Sequence, residues 1–392
     1  VAPTGSFLST GPQRTLTTTD RPAAKTCNKA GQKLHGGRTP NSRTYPAVLA
    51  TALGACAVSR HQKRRLQRTK IRMLQSADTE GRMRWDSESV LELAKRANVK
   101  LEVKPWEFLS GIAKDAARGW FVKRAEERGI KWSELVQESQ AFQGELDHHY
   151  DELCDANLEY PDYYKHPFHG YDEGNLNWKA AHELLPATQS MCLSYYDGLS
   201  WQDAQEKFRG AARSALSEAW VKQHGDVRPG KLLDMGCSCG FSTAEMVRAF
   251  PGVNATGLDL SPHFLAAATR QHPSLKFVHG LAEDTKFESG SFDVVTLNFL
   301  LHEVPLDTSR LIIAECARIL RPGGMLAILD VDPRRLLELP PMRRWAFQVT
   351  EPWCKDGEYY SLQVQEELES AGFNQHVVEK NDPVNFIAVA FK

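Results

Sequence analysis

The sequence predicts an α/β protein: a largely parallel sheet with intervening helices in the C-terminal part, preceded by an α-helical region. From Lys231 onward, short apolar segments alternate with amphipathic ones, which is typical of strands joined by crossover helices. Between Trp85 and Gly225, apolar residues instead recur at helical spacing. Ser200 and Ser261 each precede an amphipathic segment and are predicted helix caps.

Charge separates the N-terminal segment from the rest of the chain. Residues 1–77 contain fourteen Lys and Arg and one acid, whereas the remainder contains 34 basic and 48 acidic residues. An acid-poor segment rich in Ser, Thr and Arg is typical of an organelle transit sequence, so we expect a presequence that directs the protein to a plastid. A basic tail that stays attached to a cytoplasmic protein is the alternative. The remainder of the chain is net acidic, which argues against a nucleic-acid partner.

Three parts are predicted: a presequence over residues 1–77, a helical region over 78–199 and a catalytic domain over 200–392. Apart from the apolar run 47–58, which is too short to cross a bilayer, no segment has the length and apolarity of a membrane span. Residues 160–178 are rich in aromatics and histidines. We interpret this aromatic loop either as a lid over a cofactor or substrate, or as rings that bury the loop against the next domain.

A glycine-bearing turn marks a nucleotide-sized site. Residues 234–240 read Asp-Met-Gly-Cys-Ser-Cys-Gly, between a predicted strand that begins at Lys231 and a predicted helix. Glycines let the backbone approach a ligand, and the start of a helix offers free N–H groups. A dinucleotide fingerprint would need glycines where Ser238 and Phe241 stand. The turn therefore argues against a nicotinamide-dependent oxidoreductase.

The Asp-x-Gly-x-x-x-Gly form resembles motif I of the class I S-adenosylmethionine-dependent methyltransferases. Further segments follow in that family's order: a strand ending at Asp259, a strand followed by Gly-Leu-Ala-Glu-Asp at 280–284, and a strand ending at Asn298. Leu-Arg-Pro-Gly-Gly at 320–324 is similar to the turn of the ubiquinone and menaquinone biosynthesis methyltransferases. The resemblance covers about residues 232–392 and implies a Rossmann-like, seven-stranded methyltransferase sheet.

The resemblance also implies S-adenosyl-L-methionine as cofactor, held at the strand ends. Asp259, at the end of the second strand, is placed to accept hydrogen bonds from both ribose hydroxyls. Leu260 is expected to pack on the adenine, and Asp284 to accept from its amino group. The expected cofactor-binding residues are Asp234, Gly236, Cys237, Ser238, Gly240, Asp259, Leu260, Ala282, Glu283, Asp284 and Asn298.

Two residues beyond the fourth strand are candidates for catalysis. The transferred methyl group should face the pocket there, and His302 and Glu303 are the candidate general bases. They alternatively cap or orient the loop after the strand. Since a sulfonium already activates the methyl group, alignment and exclusion of water suffice for catalysis, and a base is not required. No spacing typical of metal ligands is present, so no metal is expected.

Substrate selectivity is expected in the insertion after the fifth strand, over residues 332–360. Arg344 and Trp345 lie in its centre, and Tyr359 and Tyr360 lie at its end. The arginine pair at 343–344 either holds a carboxylate or phosphate, or is a solvated surface. We also expect the last helix to span residues 359–371, before an antiparallel strand pair.

The expected function is methyl transfer from S-adenosylmethionine to a small-molecule or lipid-like acceptor. Two alternatives stay open at this point. One is a catalytically inactive scaffold that binds S-adenosylmethionine and docks a protein partner through the helical region. The other is a protein methyltransferase, because nothing in the sequence selects oxygen, nitrogen, carbon or sulfur as the acceptor atom.

Overall fold

The structure is a computed structural model of the chain. It describes residues 118–119, 121–196, 198–338, 347–348, 351–354, 358–382 and 384–392. The predicted presequence, part of the predicted insertion and the substrate-site candidates Arg344 and Trp345 lie outside these residues.

Seven strands form one mixed sheet in the order β3-β2-β1-β4-β5-β7-β6. Their bounds are β1 Lys231–Met235, β2 Asn254–Asp259, β3 Lys276–His279, β4 Phe292–Asn298, β5 Leu320–Val331, β6 Gln375–Lys380 and β7 Asn385–Phe391. Strands β1 to β5 are parallel, and β7 is antiparallel to both of its neighbours. Since strand order reverses beside β1, the ends of β1 and β4 border a crevice in which α/β folds bind ligands.

Nine helices with defined bounds accompany these strands in the described part of the chain. They are α1 Trp132–Ala141, α2 Gln143–Leu153, α3 Trp178–Met191, α4 Trp201–His224, α5 Phe241–Ala249, α6 Pro262–Gln271, α7 Leu306–Ile319, α8 Pro333–Glu338 and α9 Val364–Ser370. Residues 121–127 are also helical. None of the described helices is both long and apolar enough to cross a bilayer.

Local chemistry sets the start of the helices beside the sheet. The side chain of Ser200 accepts a hydrogen bond from Asp203 N at the start of α4. Ser261 caps α6 in the same way, and Pro262 takes the first helical position, where its missing N–H costs nothing. Both predicted caps are confirmed.

Two apolar clusters cover the two faces of the sheet. Successive side chains of β1 point to opposite faces, so Leu232 packs with Phe208 and Trp220 of α4, whereas Leu233 packs with Ile312 of α7. All five side chains are almost fully buried. Helix α4 is therefore part of the catalytic domain's core.

The helical region docks on α6 and on the ends of β2 and β3. The Arg270 guanidinium of α6 lies 3.6 Å from the centre of the Phe142 ring, next to α2. His279 Nδ1 accepts from Asp155 N at 3.0 Å, so Nε2 carries the proton and donates to Leu260 O at 3.1 Å. Burial lowers the pKa of His279, which keeps the ring neutral in this bridge.

The last helix is shorter than predicted. Residues Tyr359–Ser361 form a single 3₁₀ turn, and α9 begins at Val364. The predicted antiparallel pair is confirmed as β6 and β7.

Candidate active site

Asp234 organises the glycine-bearing turn from within the core. Its Oδ1 accepts from Thr296 Oγ1 at 2.8 Å and Asn298 Nδ2 at 2.9 Å, and its Oδ2 accepts from Ser242 Oγ at 2.6 Å and Thr243 Oγ1 at 2.7 Å. A carboxylate has about four acceptor positions, and these bonds fill them. The prediction that Asp234 contacts the cofactor is therefore corrected: its carboxylate joins β1, β4 and α5.

Asp259 is the buried acid that keeps acceptor capacity. Its Oδ2 accepts from Ser238 N and its Oδ1 from Ser261 N, each at 2.8 Å. Each oxygen therefore retains a lone pair, which suits a neighbouring pair of hydroxyl groups. Burial raises the pKa of Asp259 to about 6, and the backbone N–H groups of Ser261, Ser238 and Leu260 oppose this rise. The carboxyl group is thus mainly ionised at neutral pH.

The turn itself is held by close packing. Gly236 has a φ of +72°, and a Cβ there would lie 3.0 Å from Leu300 Cδ1. Gly240 has a φ of +79°, and its added Cβ would lie 2.7 Å from Phe277 Cζ. Both positions require glycine because of conformation and of crowding. Cys237, almost fully buried, packs on Phe277 in the core, so its expected cofactor contact is not a side-chain contact.

Of the two acids after β3, Glu283 is the one placed to accept a hydrogen bond from a ligand. Its Oε1 accepts from Tyr163 Oη at 2.7 Å, and its buried Oε2 has no hydrogen-bond partner in the part of the chain that the structure describes. Asp284 is instead 52% exposed and paired with Lys286. Partly buried Ala282 packs against the apolar cluster beside them. The adenine contact predicted for Asp284 is better met by its neighbour Glu283.

The aromatic loop lies over this edge of the sheet. Asn175 O accepts from Ser261 Oγ at 2.7 Å, beside Asp259, and Tyr163 reaches the segment after β3. Burial raises the pKa of the Tyr164 hydroxyl, and the negative charges of Asp259 and Glu303 add to this rise. The loop therefore covers the predicted cofactor pocket.

His302 is a buried, paired cation. Its Nδ1 lies 2.7 Å from Oδ1 of Asp330, whose side chain is fully buried and whose Oδ2 accepts from Leu301 N at 2.9 Å. Burial alone lowers the pKa of His302, but the Asp330 carboxylate outweighs it and raises the pKa to about 9. The Asp330 carboxylate fixes the orientation of the imidazole in the loop after β4. The general-base role of His302 stays a prediction.

This pair predicts a pH dependence of stability. The pKa of His302 is about 9 in the folded protein and near 6.5 without interactions. Its stabilisation is therefore fully present below pH 6.5 and is lost as the pH rises through 9. Between about pH 6 and pH 10, urea denaturation should show the wild type losing about 3 kcal/mol more than His302→Gln. Equal losses in both proteins would contradict the pairing.

The two predicted substrate residues that the structure describes lie in different surroundings. Tyr359 is 1% exposed, and its hydroxyl donates to Val331 O. It belongs to the core, so the prediction that it contacts substrate is corrected. Tyr360, partly buried, packs against the same apolar cluster.

Three residues that the sequence did not single out also belong to the candidate site. Asp330 lies one residue before the end of an apolar strand, as Asp234 does, and this shared position was the available sign of its role. His169 and Glu351 lie 3.3 Å apart and belong to distant segments, which no local pattern connects.

Comparisons with known proteins agree with this geometry. Residues 233–328 match the family model described as Methyltransferase domain. The chain is 37% identical over 118 residues to an uncharacterized methyltransferase of Synechocystis sp., covering 30% of this chain and 55% of that protein. It is 38% identical over 105 residues to the phthiotriol/phenolphthiotriol dimycocerosates methyltransferase of Mycobacterium leprae (26% and 38% covered), and 35% over 116 residues to the demethylmenaquinone methyltransferase of Chlorobaculum tepidum (30% and 46%). The chain thus spans about half or less of these relatives.

The sheet order, the turn at its crevice and the matched segment together define a Rossmann-like methyltransferase domain. Residues 233–328 thus match a methyltransferase domain, and over this part the chain is similar to proteins named as methyltransferases, among them the demethylmenaquinone methyltransferase.

Proposed function

We propose that this protein transfers a methyl group from S-adenosyl-L-methionine to a small-molecule or lipid-like acceptor. The observation that carries the proposal is the environment of Asp259. A buried carboxylate fixes the glycine-bearing turn through Ser238 N and still has a free lone pair on each oxygen. This arrangement suits the two hydroxyls of a ribose at the crevice of the sheet.

The remaining groups fit the other parts of the cofactor. The unpartnered Oε2 of Glu283 suits the adenine amino group, which only donates hydrogen bonds. Buried Leu260 offers an apolar contact beside it. The turn 236–240 and Asn298, held by Asp234, border the position for the amino-acid portion.

The cofactor supplies an electrophilic methyl group when bound. The protein's own task is then to align the acceptor, exclude water and remove a proton where the acceptor carries one. The aromatic loop contributes to the exclusion of water, because Tyr163 and Tyr164 lie over the strand ends. Alignment lowers such barriers by about 7–11 kcal/mol, more than one general base supplies.

The relatives support a lipid-like acceptor for this chain. Two of them are named for demethylmenaquinone and for phthiotriol dimycocerosates. Arg344, Trp345 and Tyr360 remain proposed acceptor contacts, and a plastid location remains proposed from the basic residues 1–77.

Production of S-adenosylhomocysteine tests this function. The full chain is incubated with S-adenosylmethionine and a panel of quinols, phenolic lipids, amines and peptides, and the product is quantified by mass spectrometry. We expect turnover with at least one small molecule or lipid, which Asp259→Ala abolishes. Turnover with peptides alone would indicate a protein methyltransferase, and cofactor binding without any turnover would indicate the inactive scaffold.

A further inference from the structure

Three side chains from separate segments meet beyond the end of β4. His169 Nε2, from the aromatic loop, lies 3.5 Å from Glu303 Oε1 and 3.3 Å from Glu351 Oε1. Glu303 follows β4, and Glu351 belongs to the segment between β5 and β6. These residues are here called the His-Glu-Glu cluster.

A strained turn holds the histidine in place. Phe168 and Tyr171 exchange two backbone hydrogen bonds, of 3.0 and 2.8 Å, around the two-residue tip His169-Gly170. Both tip residues have positive φ, +50° and +83°. Glycine adopts this backbone readily, whereas histidine does so at a cost. The strained tip therefore holds the imidazole beside the two carboxyl groups.

The cluster has an open acceptor for a hydrogen bond. Glu351 is 6% exposed, yet its buried Oε2 has no hydrogen-bond partner among the described residues. A buried, unpaired carboxylate oxygen is costly, so a donor supplied by a ligand would relieve it. The cluster is also reached from solvent, since the side chains of His169 and Glu303 are 38% and 22% exposed. Within the described residues, no group of His, Cys, Asp or Glu side chains is arranged to hold a metal ion.

The cluster lies next to the cofactor pocket. Glu303 follows the end of β4 at Asn298, and the aromatic loop that carries His169 also bonds Ser261, beside Asp259, through Asn175 O at 2.7 Å. Burial is the main cause of the raised pKa of Glu303, which is about 7. His169 and His302 oppose this rise. A carboxyl group of this kind exchanges protons near neutral pH.

Charge in the cluster selects the type of acceptor. Asp330 already pairs with His302, so the charge of that histidine does not balance the two glutamates of the cluster. A carboxylate entering the cluster would meet like charge at short range, whereas a hydroxyl or an ammonium group would find acceptors.

We propose that the His-Glu-Glu cluster is the acceptor site, and that it takes a hydroxyl or amine group and rejects a carboxylate. Glu351 accepts a hydrogen bond from the entering group, and Glu303 takes the proton that the nucleophilic oxygen or nitrogen loses. The lone pair of that atom forms the bond to the methyl carbon while the carbon–sulfur bond breaks and its electrons stay on sulfur. This inference rests on the proposed methyltransferase function.

Three probes of similar size but different charge test the selectivity. Benzylamine, benzyl alcohol and benzoate are titrated, by ligand-observed NMR at about pH 8, into the full chain saturated with S-adenosylhomocysteine. We expect benzylamine to bind about tenfold more tightly than benzoate, with benzyl alcohol between them. Glu351→Gln and Glu303→Gln should each remove most of this ratio. Glu366→Gln, which changes an exposed acid of α9, should preserve it.

The ratio of the benzylamine and benzoate affinities depends on the charge at the site. A purely structural effect of the substitutions would weaken both probes and leave this ratio unchanged. Benzoate binding as tightly as benzylamine, no probe binding at all, or a ratio unchanged in both variants would overturn the acceptor site while leaving the methyltransferase function intact. If S-adenosylhomocysteine itself fails to bind the folded protein, the function and the acceptor site both fall.

Discussion

Asp259→Ala should weaken binding of S-adenosylmethionine by about 10- to 100-fold. The substitution removes the acceptor for both ribose hydroxyls. It also frees the N–H groups of Ser238 and Ser261, which the carboxylate fixes at 2.8 Å each. Isothermal titration of the cofactor into wild type and variant measures the change.

Asp307→Ala is the matched control for this loss of an acid. The Asp307 side chain is 91% exposed at the start of α7, so its removal should leave the affinity unchanged. Equal affinities of Asp259→Ala and the wild type would exclude Asp259 as a cofactor ligand.

Asp234→Ala should lower the free energy of unfolding by about 4 kcal/mol. The buried carboxylate accepts four hydrogen bonds, from Ser242, Thr243, Thr296 and Asn298. Its removal leaves these donors without their partner in the core, and rotation of the three hydroxyls recovers only part of the loss. Urea denaturation followed by circular dichroism gives the change.

Asp226→Ala, at an exposed position after α4, serves as the control and should change stability by less than about 0.5 kcal/mol. A loss of less than about 1 kcal/mol for Asp234→Ala would show that the four hydrogen bonds do not hold the turn.

Local chemistry made the sheet and its turn predictable. Ser261 followed by Pro262 marks a helix start, and glycine at 236 and 240 meets a backbone requirement that few residues tolerate. Each acid at a strand end could also be found, because apolar residues precede it. What the acid does depends on its neighbours in space: Asp234 is saturated by four donors, whereas Asp259 is not.

The acceptor side of the site was less predictable because it depends on contacts between distant segments. Glu303 was a candidate on sequence grounds, but its partners His169 and Glu351 come from residues far away along the chain. The pairing of His302 with Asp330 likewise joins two segments that lie far apart along the chain. A pKa shifted by a neighbour of this kind is set by tertiary structure and is not visible in sequence spacing.

The surroundings of the aromatic loop also depend on contacts between distant segments. Its composition pointed equally to a lid and to a buried loop. In the structure Tyr163 and Asn175 both bind the strand-end segments around the pocket, so the loop packs on the domain and covers the site at once.

Titration of S-adenosylmethionine into the full chain, with NAD titrated in parallel, tests the central claim most directly. Circular dichroism of the same sample establishes that the protein is folded. We predict saturable micromolar binding of S-adenosylmethionine and no binding of NAD, because the turn 234–240 lacks the dinucleotide glycines and Asp259 offers a ribose acceptor. A folded protein that binds no S-adenosylmethionine, or that binds NAD instead, would contradict the account.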